Sequence, residues 1–537
     1  MHFGSCGGCQ LTLASALLAI APLPIFQTKI RLSIFQSGGR GKLLQIRNNI
    51  CHRWRRLFSG ALMASTFRSY FRLRLRNVLG LIALAAILLL TYLSFGGSLV
   101  LPMVPYAYQS DNNTTLVQST VDPHPTPNTI KTSGWEMTTI PSGAHVHGFT
   151  VLDNIYLRNG TFYVVTDDRT SLPPRDRLLS LPIDLKGGVK MDPTDEQLQF
   201  IHPDDAIGIL GDRVTRIEEF SVIVYDPPQF MKHFYHWFGE IILGAWRVYS
   251  HILLSPDAQT SRHLTFPRRF ILPFVSNEEW RDKAGIDGPL MRAAFPGAAI
   301  EQAGYWNDLK KVGTTVVFER VMLVNRSAAH KHPFGGVWYK MIAGTMNVTA
   351  PHDFWAPVRD SLWQNVLAPS FLPTIYDSSR LPLVTYVSRQ GSGRRLVAAD
   401  HDALVAALKA LEAEGVCEVQ VAAMERITMK EQIELVARTR ILVGVHGNGL
   451  THQLWMPPHP RSTAIEIFVP NGYVFDYEML ARNMGHRHYA VWNDTFLTYP
   501  EGTYHKGVKY PDGFHGVNIP VYAPTVIGII RERLGSL

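Results

Sequence analysis

The chain has 537 residues, 46% of them hydrophobic and 18% charged, with a formal net charge of +8. That composition excludes a disordered protein, and the length accommodates two or more domains. Nucleic-acid binding is excluded as well, because the positive excess is local: residues 1–76 hold 12 Lys/Arg and no Asp/Glu, leaving 40 basic against 44 acidic residues beyond them.

The basic leader ends at an apolar run without charge from Val78 to Phe95, long enough to span a bilayer as a helix. Arg68, Arg72, Arg74 and Arg76 precede it and Asp111 is the first charge after it. The positive-inside rule then predicts a cytosolic tail over 1–76, a transmembrane helix over 77–98 and a lumenal remainder, a single-pass type II topology. The shorter run from Leu11 to Phe26, broken by Pro22 and Pro24, suits a signal-peptide core, a weak second membrane segment or, the favoured reading, an upstream extension ahead of a start at Met63, and an acid-free, Arg-rich leader also resembles a mitochondrial presequence. Residues 99–135, rich in Pro, Thr, Ser and Asn, read as a stem. Sequons at Asn112, Asn113, Asn159, Asn325, Asn347 and Asn493 all follow the apolar run, and Asn493 is the least accessible if its loop is packed. Cys417 is the one cysteine beyond that run, so the remainder forms no internal disulfide.

Residues 136–370 read as an irregular α/β domain. Ser221–Tyr225 is a predicted strand, Asp226-Pro-Pro228 leads into a predicted helix over 230–249, and Arg269–Phe274 and Val316–Val324 are further predicted strands. On that helix His236 and Glu240, four residues apart, share a face and form a candidate pair for proton abstraction. Aromatic core packing is the competing reading, and it suits Trp237 best.

Residues 371–537 are more regular. Leu383–Val387 is β-rich and delivers Tyr386-Val-Ser-Arg389 to a Gly/Arg loop containing Arg394 and Arg395. Asp400 is a predicted helix cap ahead of Leu404, Leu408 and Leu411. Asp400-His-Asp402 also matches the D-x-D pattern of some metal-dependent transferases, but capping is the simpler account. Val416–Val421 is the next strand, and Thr428-Met-Lys-Glu431 is a capping box. Ile441–Val445 is wholly apolar, as a buried parallel strand requires. It runs into His446-Gly447-Asn-Gly449 and a helix near Leu450–Trp455, whose first amides favour a phosphate. Ala464–Val469, carrying Glu466, is another strand, followed by a helix near 475–484 and a strand near 487–492. The alternation predicts a doubly wound parallel sheet. Glu466 ends a strand where an acid could hold ribose hydroxyls, a placement that also suits a nicotinamide-dependent oxidoreductase.

Taken together, Phe234-Tyr-His236-Trp, Tyr386-Val-Ser-Arg389, His446-Gly-Asn-Gly-Leu-Thr451 and the Glu466 strand resemble glycosyltransferase family 61 over roughly 215–495. Asn448 departs from the small residue usual at that turn. The resemblance implies a GT-B-like α/β architecture, two Rossmann-like domains facing a cleft. It further implies a UDP-sugar donor (N-acetylglucosamine or xylose), inversion at the anomeric carbon, a protein or glycan acceptor and no metal cofactor. Arg389, Arg394, His446, Gly447, Gly449 and Glu466 are then the expected donor-binding residues, and Glu240 or His236 the expected base. The secretory pathway, Golgi or endoplasmic reticulum, is the compartment that follows, and a catalytically inactive sugar-binding protein is the other reading.

Overall fold

The computed structural model describes residues 129–130, 135–254, 264–498 and 507–535. The expected tail, transmembrane helix and nearly all of the stem lie outside them. Among the described residues no helix is long and apolar enough to cross a membrane. The chain divides into residues 1–120 and 121–537, and everything described here belongs to the second unit.

Two sheets organise that unit. The first holds nine strands: β1 (Thr129–Ile130), β2 (His145–Val146), β3 (Phe149–Arg158), β4 (Thr161–Val165), β5 (Leu198–Ile201), β6 (Val214–Val224), β7 (Arg269–Ile271), β8 (Ala299–Glu301) and β9 (Thr315–Val324). Strands β9, β6, β7 and β8 are mutually parallel neighbours in that order, while β3 joins β9 antiparallel and carries β4 and β5 outward. The second sheet holds β10 (Leu383–Val387), β11 (Glu418–Ala422), β12 (Thr439–Val445), β13 (Thr463–Ile467), β14 (Arg487–Trp492) and β15 (Thr495–Thr498), ordered β11-β10-β12-β13-β14-β15. All are parallel but the last, so this is a Rossmann-like α/β layer.

Local sequence explains these elements. Strands β10 and β13 are buried at every position and β12 at all but one, so each is mostly apolar on both faces, as helices packed on both sides demand, with Glu466 of β13 the buried charged exception. The helix Ala398–Ala413 buries Leu404, Leu408 and Leu411, each contributing about 1.5–3 kcal/mol of transfer free energy. Thr428 and Glu431 close the expected capping box on the helix Met429–Arg438. Asp400 is not a cap. The helix starts two residues earlier, and Asp400 in its first turn accepts from the Val521 N–H at 3.1 Å.

The helix expected over 230–249 is two elements. Phe230 has φ 66°, a left-handed conformation that no helix passes through, so helical structure begins later. A π-helix, Tyr235–Ile242, runs directly into the α-helix Leu243–Ser250. Its aromatic residues join one apolar core with Leu450, Trp455 and Tyr477 of the second sheet's layer. Trp355 Nε1 donates to Leu454 O at 3.0 Å and Arg247 Nη1 to Asn483 Oδ1 at 3.0 Å across the same boundary. Cys417 is buried and free. Of the sequon asparagines, Asn159 and Asn347 are exposed and Asn493 is half-buried. Asn325 is fully buried and its Nδ2 donates to Tyr225 O at 2.7 Å, so its amide is already in use.

Each sheet reverses its winding once. The chain leaves β6 for β7 and β8 on one side and returns to β9 on the other, and it leaves β10 for β11 and returns to β12 on the opposite side. Ligands of open α/β sheets bind beyond the carboxyl ends of strands at such points. Asp226 follows β6, Asn325 and Arg326 follow β9, Arg389 follows β10, and His446 follows β12.

Candidate active site

Both reversal points open onto one cavity of about 460 Å3, lined from the first sheet by His236, Glu240, Arg326 and Lys340, and from the second by Arg389, Arg394, His446, Gly447, Asn448 and Asp476. A larger hollow of about 680 Å3 lies against β3, β6 and β9. Most of its charges are matched as Arg216–Glu136, Arg268–Glu219 and Arg320–Asp153, and Glu319 accepts the Glu219 backbone N–H, so among the described residues lining it no cation is left to meet a phosphate.

On the first face, His236 Nδ1 lies 2.6 Å from Glu240 Oε2, and Arg326 Nη1 lies 2.7 Å from the same oxygen. The glutamate side chain is 1% exposed and the histidine 22%. Burial alone would raise the Glu240 pKa, but the Arg326 guanidinium and His236 outweigh it and hold the carboxyl well below its ordinary range. An ionised Glu240 accepts the Nδ1–H of His236, which leaves the lone pair on Nε2. In this arrangement the carboxylate orients the ring and the imidazole reaches the cavity. Both residues lie on the π-helix, a form frequent at functional sites.

Arg326 and Asp226 were not singled out from the sequence. Asp226 accepts the Arg326 backbone N–H at 2.8 Å and a bond from Asn325 Nδ2 at 3.2 Å, fixing the turn that aims Arg326 at Glu240. Burial pushes the Asp226 carboxyl up to about 7 despite the Arg326 charge. The one available signal was their position after predicted strands; their partners lie about a hundred residues apart in sequence.

On the second face, Arg389 and Arg394 line the cavity, and neither makes an ion pair with a carboxylate among the described residues. Arg389 Nε donates to Arg394 O at 3.2 Å and Arg394 Nη1 to His446 O at 3.0 Å, which fixes both heads. Gly447 is favoured by its backbone, at φ 153°, and a Cβ there would also fall 2.4 Å from Arg389 Nη1 and displace that head. Gly449 meets Val387 in the same way at 2.7 Å. The turn enters a 3-10 helix, Asn448–Trp455, rather than an α-helix. Arg395 does not line the cavity.

Glu466 requires a correction. It is fully buried beneath the cavity, with Oε1 2.5 Å from His446 Nδ1 and Oε2 2.8 Å from His488 Nε2. Both oxygens are occupied, so it does not reach a ribose directly, and the acidic residue that a nicotinamide site would need is spent. Asp400 and Asp402 lie on the helix Ala398–Ala413, away from the cavity. Among the described residues no three His, Cys, Asp or Glu side chains are grouped to hold a metal ion.

Polar contacts join the faces at the cavity as well. Lys340 forms a buried ion pair with Asp476. Asn448 Oδ1 accepts the Tyr235 backbone N–H at 3.0 Å, so the unusual turn residue caps the π-helix from the opposite layer. Asn448→Ala should cost about 0.5–2 kcal/mol of stability, the range for losing a helix cap. An unchanged urea midpoint would show that the bond contributes nothing.

Residues 234–465 match the Glycosyltransferase 61 family. The chain is 34% identical over 133 residues to the EGF domain-specific O-linked N-acetylglucosamine transferase of Drosophila melanogaster, a stretch covering 24% of this chain and 22% of that protein. The chain's match therefore spans under a quarter of that relative's length. The family region starts one residue before the π-helix and ends one residue before Glu466, taking in lining residues from both faces of the cavity but not Asp476.

Proposed function

We infer, from the membership of residues 234–465 in glycosyltransferase family 61, that this chain is a glycosyltransferase working by a single in-line displacement in the cavity between its sheets. The carrying observation is the opposition of an oriented base to a pair of guanidiniums without carboxylate partners, across one cavity. Those guanidiniums suit the diphosphate of a UDP-sugar, which arginine engages bidentately. The two-layer arrangement with a cleft fits the GT-B architecture.

In this mechanism the acceptor hydroxyl gives its proton to His236 Nε2 while its oxygen bonds to the anomeric carbon. The bond from that carbon to the phosphate oxygen breaks on the opposite face, and UDP departs with the electron pair, so configuration inverts. Arg389 and Arg394 meet the charge that develops on the leaving diphosphate, with His446 beside them. Glu240 holds His236, and Glu466 acts through His446. Fixed cations of this kind supply the positive charge that a divalent ion brings elsewhere, so transfer should survive a chelator; a complete, manganese-reversible loss would return Asp400 and Asp402 to consideration. N-acetylglucosamine and xylose are the favoured sugars, a protein or glycan hydroxyl the acceptor, and the lumen of the Golgi or endoplasmic reticulum the setting, with anchoring through the apolar run at 78–95.

The direct test incubates the purified full chain with a panel of nucleotide sugars and scores nucleotide release. Release from UDP-sugars supports the assignment, and none from any donor defeats it. Arg389→Ala should weaken UDP binding by roughly 10- to 150-fold, since a hydrogen bond to a charged group contributes about 1.5–3 kcal/mol. Calorimetry with UDP reads this, and unaltered affinity would remove Arg389 from the donor site.

A further inference from the structure

His446 and Glu466 carry more information than their proximity to the donor site. The His446 ring is pinned by Phe468, stacked at 5.4 Å between centroids, and by Tyr477 and Phe514 at 5.2 and 5.3 Å. It cannot turn over, so Nδ1 stays on Glu466 Oε1 and Nε2 stays on the cavity side. The nearest carboxylate oxygen to Nε2 is Asp476 Oδ2 at 3.8 Å, beyond hydrogen-bond range.

Counting protons around Glu466 leaves few arrangements. His488 Nε2 is 2.8 Å from Oε2, and His488 Nδ1 is buried without a protein partner. Burial lowers the pKa of His488 to about 3, so that ring is neutral and carries one proton. Placing the proton on Nε2, where Oε2 accepts it, makes the bond and leaves only a bare acceptor at Nδ1. One proton then serves the 2.5 Å contact between Oε1 and His446 Nδ1.

If that proton belongs to His446, a neutral ring turns a lone pair toward the cavity and would repel a phosphate oxygen. If Nε2 is protonated as well, an imidazolium stands beside Arg389, Arg394 and Lys340. If the proton belongs to Glu466, Nδ1 accepts and Nε2–H faces the ligand with no fourth cation added. Desolvation of a fully buried carboxyl favours the last arrangement. Burial, with Asp476 and Glu478 nearby, pushes the Glu466 pKa well up, while burial and the neighbouring cations hold His446 well down.

We propose that Glu466 is a positioning residue held as a neutral carboxylic acid, donating to His446 Nδ1 and thereby locking His446 as the tautomer whose Nε2–H is aimed at the leaving phosphate. The proposal rests on reading this cavity as the diphosphate site. It also gives the two carboxyl–histidine pairs opposite tasks. Ionised Glu240 makes His236 an acceptor of a proton, and protonated Glu466 makes His446 a donor of a hydrogen bond.

The experiment has two arms on the full chain. Nitrogen-15 spectra of histidine-labelled protein, with His446→Gln for assignment, should show His446 neutral, with hydrogen on Nε2 and none on Nδ1; the reverse tautomer or an imidazolium overturns the proposal. In calorimetry with UDP, Glu466→Gln should stay within about threefold of the parent affinity. Its carboxamide reproduces the acid, with NH2 donating to Nδ1 and C=O accepting from His488. Glu466→Ala should lose about tenfold or more, the scale of one charged hydrogen bond. If Glu466→Gln loses as much as Glu466→Ala, an ionised carboxylate is at work and the proposal fails. Should the parent chain not bind UDP, the donor-site reading falls and the tautomer is judged by the spectra alone, which need no ligand.

Discussion

His236→Ala is expected to slow sugar transfer by about 10²- to 10⁴-fold, the range a positioned general base contributes. The expectation follows from the division of labour in the pair. Both residues line the cavity, but Glu240 is 1% exposed with its Oε2 shared by Arg326 and His236, whereas His236 is 22% exposed with Nδ1 already engaged. The substitution leaves the opposite face untouched, so UDP affinity should stay at the parent value while transfer falls. Single-turnover rates with a saturating acceptor, set beside calorimetry with UDP, separate the two quantities. Parent-like transfer from His236→Ala would sink the base assignment. Loss of UDP binding in step with rate would mean that His236 serves the donor instead.

The second large effect concerns stability. Arg326→Met removes the cation from a fully buried carboxylate, and breaking a buried pair from one side typically costs about 3–5 kcal/mol. The cost should depend on pH in a defined direction. In the parent chain Glu240 has a depressed pKa, so its pairing stabilises fully above the ordinary carboxylate range and is lost only as pH falls through the lowered value. In the variant, burial without Arg326 favours the neutral acid and raises the Glu240 pKa. Acidification from about pH 7 toward about pH 4, near the pKa of an unperturbed glutamate, should therefore narrow the gap between variant and parent. Urea unfolding across that interval measures it. A gap that stays constant or widens in acid would show that Arg326 stabilises the fold by packing rather than by its charge.

Much of this molecule was legible in the chain itself. Strands whose two faces are both buried are predominantly apolar, so β10, β12 and β13 announced themselves despite Glu466 in the last, and the Thr428–Glu431 capping box marked a helix start to the residue. The glycines at 447 and 449, and the arginine following β10, exposed the second face of the cavity because a strand followed by a tight turn is a local pattern. Local pattern did not reveal the π-helix, since its side-chain spacing also suits an α-helix and its start depends on the left-handed Phe230. Nor did it separate the tasks of His236 and Glu240, or place Glu466 beneath the site instead of in it. Those outcomes depend on Arg326, 86 residues from Glu240, and on His446 and His488, 20 and 22 residues from Glu466. A carboxyl's charge state follows from which partners folding buries beside it, and sequence spacing carries no record of that.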